Sequence, residues 1–327
     1  MSRSTNINLL PEEMITEIFT RLPSKSLGLC KCVSKAWDSF ISDPCFVKTH
    51  LAKTSVTKLI VIGQGSLFSI HYGNNYKNNP NVDGFASRSN FKTSKYFRNI
   101  WSKVWGSCNG LVLLENNRGI RFLLNPSTNK FKRLPPQYGG PVNRMFGFGY
   151  DSSSDDYVVV CISCHPSVKG DAYVFVYKLK ENRWKKVEFS PYDHTRRKPV
   201  PGIFLRGYLH WFAKDVNDPS LLIVAFNIAN MEFSRVQLPN EEYGVVESWI
   251  RLPVALAGVS CLVSTHLAED SLVITKGGQF VSLVSDAREI TFQPMKVLGM
   301  PPKYLIGMTY VDSLVSPRQK DWKKKNT

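Results

Sequence analysis

Three segments of the chain repeat one local pattern: "LNPSTNKFKRLP" (124–135), "YKLKENRWKKVE" (177–188) and "FNIANMEFSRVQLP" (226–239). In each, an apolar strand end runs into a polar turn, and an aromatic residue stands six positions after the Asn or Lys that opens the turn. The aromatics are Phe131, Trp184 and Phe233, on a period of about 50 residues. A fourth copy is expected at "SDAREITFQP" (285–294), with Phe292 in the aromatic place. Upstream of the clear turns lie further strand-like runs: "GLVLLE" (110–115), "YVVVCI" (157–162) with "AYVFVY" (172–177), and "GYLHWF" (207–212) with "LLIVAF" (221–226). One such small sheet cannot bury both of its faces. Sheets stacked radially can, and closing the ring protects their edges.

Two to four short strands per period predict a kelch-like β-propeller for the larger part of the chain. A β-sandwich assembled from the same hairpins is the alternative. The first 50 residues follow a different rule. Glu12 and Glu13 stand where a helix dipole favours negative charge, and Pro11 suits a first helical position because its missing N–H would be unpaired there. Met14, Ile15, Ile18, Phe19 and Leu22 fall on one stripe at helical spacing. Pro23 ends that helix, and Ser24 is placed to cap the next. Leu27, Cys30, Val33, Trp37, Phe40 and Ile41 carry a helical pattern on to "SDP" at 42–44. A unit of about 40 residues is near the lower limit for folding alone. Its apolar faces need a further surface, either the rest of the chain or a partner. The expected organisation is a disordered 1–8, a small all-α module at 9–51, an all-β domain at 52–317 and a disordered basic tail at 318–327.

The 327 residues carry 43% hydrophobic side chains, enough to build a core, and a formal net charge of +16. That charge bears on association rather than on fold. The basic residues cluster only in "RRK" (196–198) and "RQKDWKKKN" (318–326), which read as a solvated loop and a tail open to use as a nuclear-localisation signal. No apolar leader opens the chain, and no apolar run reaches the roughly 18 residues a membrane span needs. Seven cysteines at irregular spacing point to a reducing compartment, hence cytoplasm or nucleus. No cofactor, metal or membrane partner is expected.

The stretch "LLPEEMITEIFTRLPSKSLGLCKCVSKAWDSFISDPCFVKTHL" (9–51) resembles an F-box of the kind common in plant F-box proteins. In that family the unit docks on a Skp-type adaptor, which links it to the cullin and RING subunits of a ubiquitin ligase. The resemblance implies that Leu10, Pro11, Ile15, Leu22, Pro23, Leu27, Val33 and Trp37 form or support the adaptor surface, some of them by holding the helices to one another. The family usually carries Leu-Leu-Arg-Phe where this chain has Leu27-Gly28-Leu29-Cys30. Gly28 in a helix costs about 1 kcal/mol relative to Ala, and Cys30 fills less volume than an aromatic ring, so weakened adaptor binding is a second expectation. "GSCNGLVLLE", "LLNPSTNKFKRLP", "FGFGYDSSSDDYVVV", "GYLHWF" and "YVDSLVSP" resemble the F-box-associated domain of the same proteins. The match is weak over 250–300, where the family often has a Trp-centred strand and this chain has "SLVITKGGQF". A shortened or rebuilt last blade is expected there.

Chemistry is suggested at three places. "GSCNG" (106–110) has the spacing of a nucleophile elbow around Cys108, but a strand rather than a helix follows, and it reads as a turn. "CISCH" (161–165) has haem-attachment spacing, but Cys161 sits in an apolar strand and reads as core. Asp193-His194 lies in a Pro- and Arg-rich loop with no nucleophile nearby in sequence. Three functions remain open. The leading one is an adaptor that binds a Skp-type partner and presents an unknown target protein on the β domain. Another is a basic nucleic-acid-binding protein, or a general interaction module outside a ligase, although no recognisable nucleic-acid motif is present. The last is a cysteine hydrolase using Cys108. Candidate target loops are "HPSVKGD" (165–171), "YDHTRRKP" (192–199) and "KDVNDPS" (214–220), whose cationic member favours an acidic target.

Overall fold

The computed structural model describes residues 11–54, 56–72, 84–88, 100–140, 143–165, 172–194, 199–216, 221–236, 259–263, 271–276, 279–286, 289–294, 297–299 and 304–318. Four short helices come first: α1 (Glu12–Thr20), α2 (Ser24–Cys30), α3 (Lys35–Ile41) and α4 (Pro44–Lys53). Pro11 precedes α1 by one residue, and its carbonyl accepts the N–H groups of Met14 and Ile15. The Ser34 hydroxyl accepts the Trp37 N–H at 3.1 Å to start α3, and the Asp43 carboxylate accepts the Cys45 N–H at 2.9 Å to start α4. Ser24 does not cap α2 with its own hydroxyl, which has no hydrogen-bond partner among the described residues; it occupies the first helical position, and its N–H donates to Asp312, 288 residues away.

The helices close on a small core of Phe19, Leu27, Ile41 and Phe46, to which Leu314 from the far end of the chain is added. Phe19 meets Trp37 edge-on with ring centroids 4.9 Å apart, and Phe40 meets Phe46 at 5.0 Å. Val47 and Leu51 of α4 pack on the β region's own core. The rest of the chain therefore supplies part of the further surface that so short a unit requires.

The β region begins with β1 (Thr57–Gly63), β2 (Ser66–Tyr72) and β3 (Gly84–Arg88). Four sheets of consecutive antiparallel strands follow. They are β4 (Trp101–Cys108) to β5 (Leu111–Asn116), β6 (Arg121–Asn125) and β7 (Lys130–Arg133); β8 (Asn143–Asp151) to β9 (Asp156–Cys164), β10 (Ala172–Lys178) and β11 (Arg183–Phe189); β12 (Ile203–Leu205) to β13 (Tyr208–Lys214), β14 (Leu221–Asn227) and β15 (Phe233–Val236); and β16 (Val259–Val263) to β17 (Ser271–Lys276), β18 (Gln279–Asp286) and β19 (Glu289–Pro294). The last two strands, β20 (Val297–Leu298) and β21 (Tyr304–Val311), return to the opening strands and give the order β20-β3-β2-β1-β21. β21 pairs antiparallel with β1, from Thr57 opposite Val311 to Gly63 opposite Tyr304. The ring is thus sealed by the chain's two ends in one sheet.

The arrangement is a propeller because single strands feed two interfaces. On β5, Val112 and Leu114 pack toward Ile60, Ile62 and Tyr310, whereas Leu111 and Leu113 pack toward Phe146, Phe148 and Val159. On β9, Val159 and Cys161 face that second core, while Val158, Val160 and Ile162 join Leu209, Trp211 and Phe226 in a third. A sandwich leaves one face of each sheet in water; here β5 and β9 are buried on both faces. The repeated aromatics mark the fourth strand of each sheet. Phe131 stands opposite Leu124, Trp184 opposite Tyr177, Phe233 opposite Phe226 and Phe292 opposite Leu283. Two residues ahead of the first three lies the same left-handed turn residue, Asn129, Asn182 or Met231, at φ of 55°, 55° and 64°. The expected shortening near residues 250–300 is overturned: β16–β19 form a full four-stranded sheet.

Candidate functional site

The helical unit keeps one set of apolar side chains inside and leaves another in water. Phe19 and Leu27 are buried, but Met14 is 52% exposed, Ile18 46%, Leu29 70% and Val33 67%. Met14 and Ile18 lie one turn apart on α1, whereas Leu29 is in the last turn of α2 and Val33 in the turn that follows it. Of the residues singled out from the sequence, Pro11, Pro23 and Val33 are exposed. Ile15, Leu22 and Trp37 are partly buried against the inner core, and Leu27 is wholly inside it, where it joins helix to helix. Leu10 falls outside the described residues. Met14 and Ile18 were legible only as members of a stripe wider than the inner core accepts; Leu29 carried no periodic signal. Gly28 faces open space, with nothing within 4 Å of where a Cβ would stand.

One buried carboxylate fixes this unit on the propeller. Asp312, just past β21, accepts the Ser24 N–H at 3.1 Å, the Lys58 ammonium at 2.8 Å and the Ser127 hydroxyl. Those donors come from α2, β1 and the turn before β7. Burial alone would raise the Asp312 pKa; the donated hydrogen bonds and the Lys58 charge outweigh it and hold the carboxyl below its ordinary value. A second tie joins α4 to the turn after β8, where Lys48 pairs with Asp155 at 2.9 Å. Asp155 also accepts the Tyr150 hydroxyl.

The candidate chemical groups lie elsewhere, and each has a structural role. Cys108 ends β4 before an Asn109-Gly110 hairpin turn with φ of 51° and 79°. Its thiol is buried, and burial pushes its pKa up to about 12, so the thiolate needed for nucleophilic attack is not formed at neutral pH. Cys161 and Cys164 face opposite cores of the same strand and share no ligand geometry. No metal-ligating group of three or more side chains occurs among the described residues. Asp193-His194, expected to have no nucleophile nearby, does have a hydroxyl beside it: Ser190 Oγ lies 2.8 Å from His194 Nε2. The pair is buried, however, and Nδ1 of His194 has no hydrogen-bond partner among the described residues, so no carboxylate orients it as in a triad. Burial lowers the His194 pKa to about 4, with the Asp193 charge opposing, and the ring is neutral.

Comparison with known proteins fits this arrangement. Residues 59–252 match the family model described as the F-box associated beta propeller domain, and residues 7–52 match the one described as F-box-like. The F-box protein CPR1 of Arabidopsis thaliana is 31% identical over 289 residues, which is 79% of this chain and 67% of that protein.

The chain belongs to the F-box proteins with an F-box-associated β-propeller.

Arabidopsis thaliana F-box protein DOR is 26% identical over 73% of this chain and 64% of its own length, so the chain spans about two thirds of these relatives. Among solved structures, Porphyromonas gingivalis dipeptidyl peptidase 4 aligns over 72% of this chain and 37% of its own at a TM-score of 0.33 and 11% identity, a likeness that carries no argument. In this F-box protein the helices sit where β8 turns into β9, as the Lys48–Asp155 pair shows. The connections at 165–171, 192–199 and 214–220 join β9 to β10, β11 to β12 and β13 to β14, at the opposite ends of those strands. Two of them meet, because Asp193 and Lys214 exchange backbone hydrogen bonds of 2.9 and 2.8 Å. Their central residues lie outside the described residues. No helix among the described residues is long and apolar enough to cross a membrane.

Proposed function

We propose that this chain is the substrate-receptor subunit of a Skp–cullin–F-box ubiquitin ligase. The F-box helices dock on a Skp-type adaptor, which brings the cullin and RING subunits, and the propeller holds a target protein. The observation that carries this reading is the exposure of Met14, Ile18, Leu29 and Val33 on a unit whose inner face is already filled. Apolar side chains grouped this way on a small unit favour a partner surface. Leu10, Pro11 and Pro23 extend the contact, and Ile15, Leu22, Leu27 and Trp37 hold the helices in the shape that presents it. The receptor breaks no bond itself. It raises the effective concentration of the target's lysines at the ligase, as any tether of fitting length does. The target meets the strand ends far from the helices, at the end where Asp193 and Lys214 pair and to which the 165–171, 192–199 and 214–220 connections belong, and the protein works in the cytoplasm or nucleus.

The test is calorimetric titration of the full chain with a purified Skp-type adaptor. One-to-one binding is expected, and Ile18→Glu with Val33→Glu is expected to weaken it by roughly 100-fold, about 2.7 kcal/mol, with the melting temperature unchanged. Absence of binding by the unaltered chain, or full binding by the double variant, overturns the reading.

A further inference from the structure

Between the F-box helices and the propeller lies a cavity of about 510 Å³, inside the roughly 300–1,000 Å³ range of small-molecule sites. Its apolar wall comes from Val47 and Leu51 of α4 and from Leu314 and Val315. Its charge is predominantly positive. Lys31 and Lys48 line it from the helices, and Lys130, Lys180 and Arg318 line it from the β domain. Asp155 and Asp156 face these five cations, and both are engaged already. Asp155 pairs with Lys48 at 2.9 Å and Lys180 at 3.7 Å, and Asp156 accepts the backbone N–H groups of Tyr157 and Lys180. Among the described residues, no carboxylate lies within 4 Å of Lys130 or Arg318; Arg318 donates Nε–H to the Phe131 carbonyl at 3.0 Å over the Phe131 ring, which holds the guanidinium in place without neutralising it.

Like charges gathered in a concave site with low-dielectric walls focus a field that attracts counter-ions. We propose that this cavity binds a small amphipathic organic anion, its apolar body on Val47, Leu51 and Leu314 and its carboxylate or phosphate group beside Lys130 and Arg318. Because cations from both modules face the cavity, the bound anion ties helices to propeller and fixes how a held target faces the ligase. The orienting role rests on the proposed ligase function; the binding of the anion does not, because the site shares no residue with the proposed adaptor contact.

The probe is 1-anilinonaphthalene-8-sulfonate, an aromatic body with one anionic group, titrated into the full chain and read by fluorescence. N-phenyl-1-naphthylamine supplies a neutral body of the same kind. Saturable binding is expected, at least tenfold tighter for the anion than for the neutral probe. Lys130→Glu with Arg318→Glu is expected to weaken the anionic probe at least tenfold and leave the neutral one unchanged. Both side chains are exposed, and Lys130→Gln with Arg318→Gln repeats the test in the same direction should the first pair misfold. Displacement by octanoate marks a carboxylate ligand and displacement by octyl phosphate a phosphate one. Displacement by neither, equal affinity for the two probes, or loss of the anionic probe in the Ile18→Glu, Val33→Glu variant in place of the cavity variants overturns the proposal.

Discussion

Replacing Asp312 by asparagine keeps the shape of the side chain and removes its charge. Lys58, with 16% of its side chain exposed, then loses the carboxylate that lies 2.8 Å away. The Ser24 N–H and Ser127 hydroxyl lose a charged acceptor as well. Removing one member of a buried ion pair costs roughly 3–5 kcal/mol. The partial exposure of Lys58 lets its ammonium turn toward water, so a loss of about 2–4 kcal/mol is expected at pH 7. Total stabilities of about 5–15 kcal/mol make that a large share. The pH dependence is a second signature. A carboxylate whose folded pKa is depressed stabilises the fold above its unfolded pKa of about 3.9, and that contribution disappears as pH falls through the lower folded value. The gap between the unaltered chain and Asp312→Asn should therefore stay constant from neutral pH down to about 5 and shrink below about 4. Urea unfolding followed by tryptophan fluorescence gives the energies, and hydrogen exchange of α1–α4 reports whether the helices release first. Lys58→Met with Asp312→Asn removes both charges and should cost less than the sum of the single changes. A loss under about 1 kcal/mol, strict additivity, or a gap that survives unchanged at pH 3 refutes the reasoning.

Gly110→Ala should destabilise by at least about 2 kcal/mol, measured by denaturant midpoint. Its φ is +79°, and a Cβ there would stand 2.1 Å from the Ser313 hydroxyl oxygen. Gly28→Ala, where a Cβ meets open space, should instead stabilise the helices by about 0.5–1 kcal/mol, read as a rise in melting temperature. His194 is neutral when folded, with its pKa lowered to about 4, and rises toward about 6.5 on unfolding. Its contribution is present above that value and is lost as pH falls toward 4, on the order of 3 kcal/mol; His194→Gln should flatten that part of the stability–pH curve.

The hairpins of the propeller were legible because each is local. A polar turn, a left-handed residue and an aromatic two positions later specify the third and fourth strands together, as at Asn125–Phe131 and Asn227–Phe233. The first sheet was not legible, because β1 finds its inner neighbour only at β21 and no local pattern records that register. A tryptophan is not required around 250–300: the β-branched and apolar runs "SLVITK" and "QFVSLVSD" pair in antiparallel register without one. On the helices, periodicity located the apolar stripe but could not divide it. Leu27 goes wholly inward and Ile18 half outward because the core holds only what Leu314 and its neighbours leave room for. Asp312 was visible only within the "YVDSLVSP" resemblance; its role as an acceptor was not, since Ser24, Lys58 and Ser127 come together only through tertiary folding.

Leu314 and Asp312 have a bearing on synthesis. The helices are made first, yet one of their core side chains and the acceptor for α2 are made more than 250 residues later. While the ribosome still holds those residues, the first module is unfinished and β1 lacks a neighbour. A message broken off shortly before codon 304 would release a chain impaired at both modules at once. Only polypeptides translated through the last strand and the Asp312–Leu314 segment after it can complete both the helical core and the first sheet.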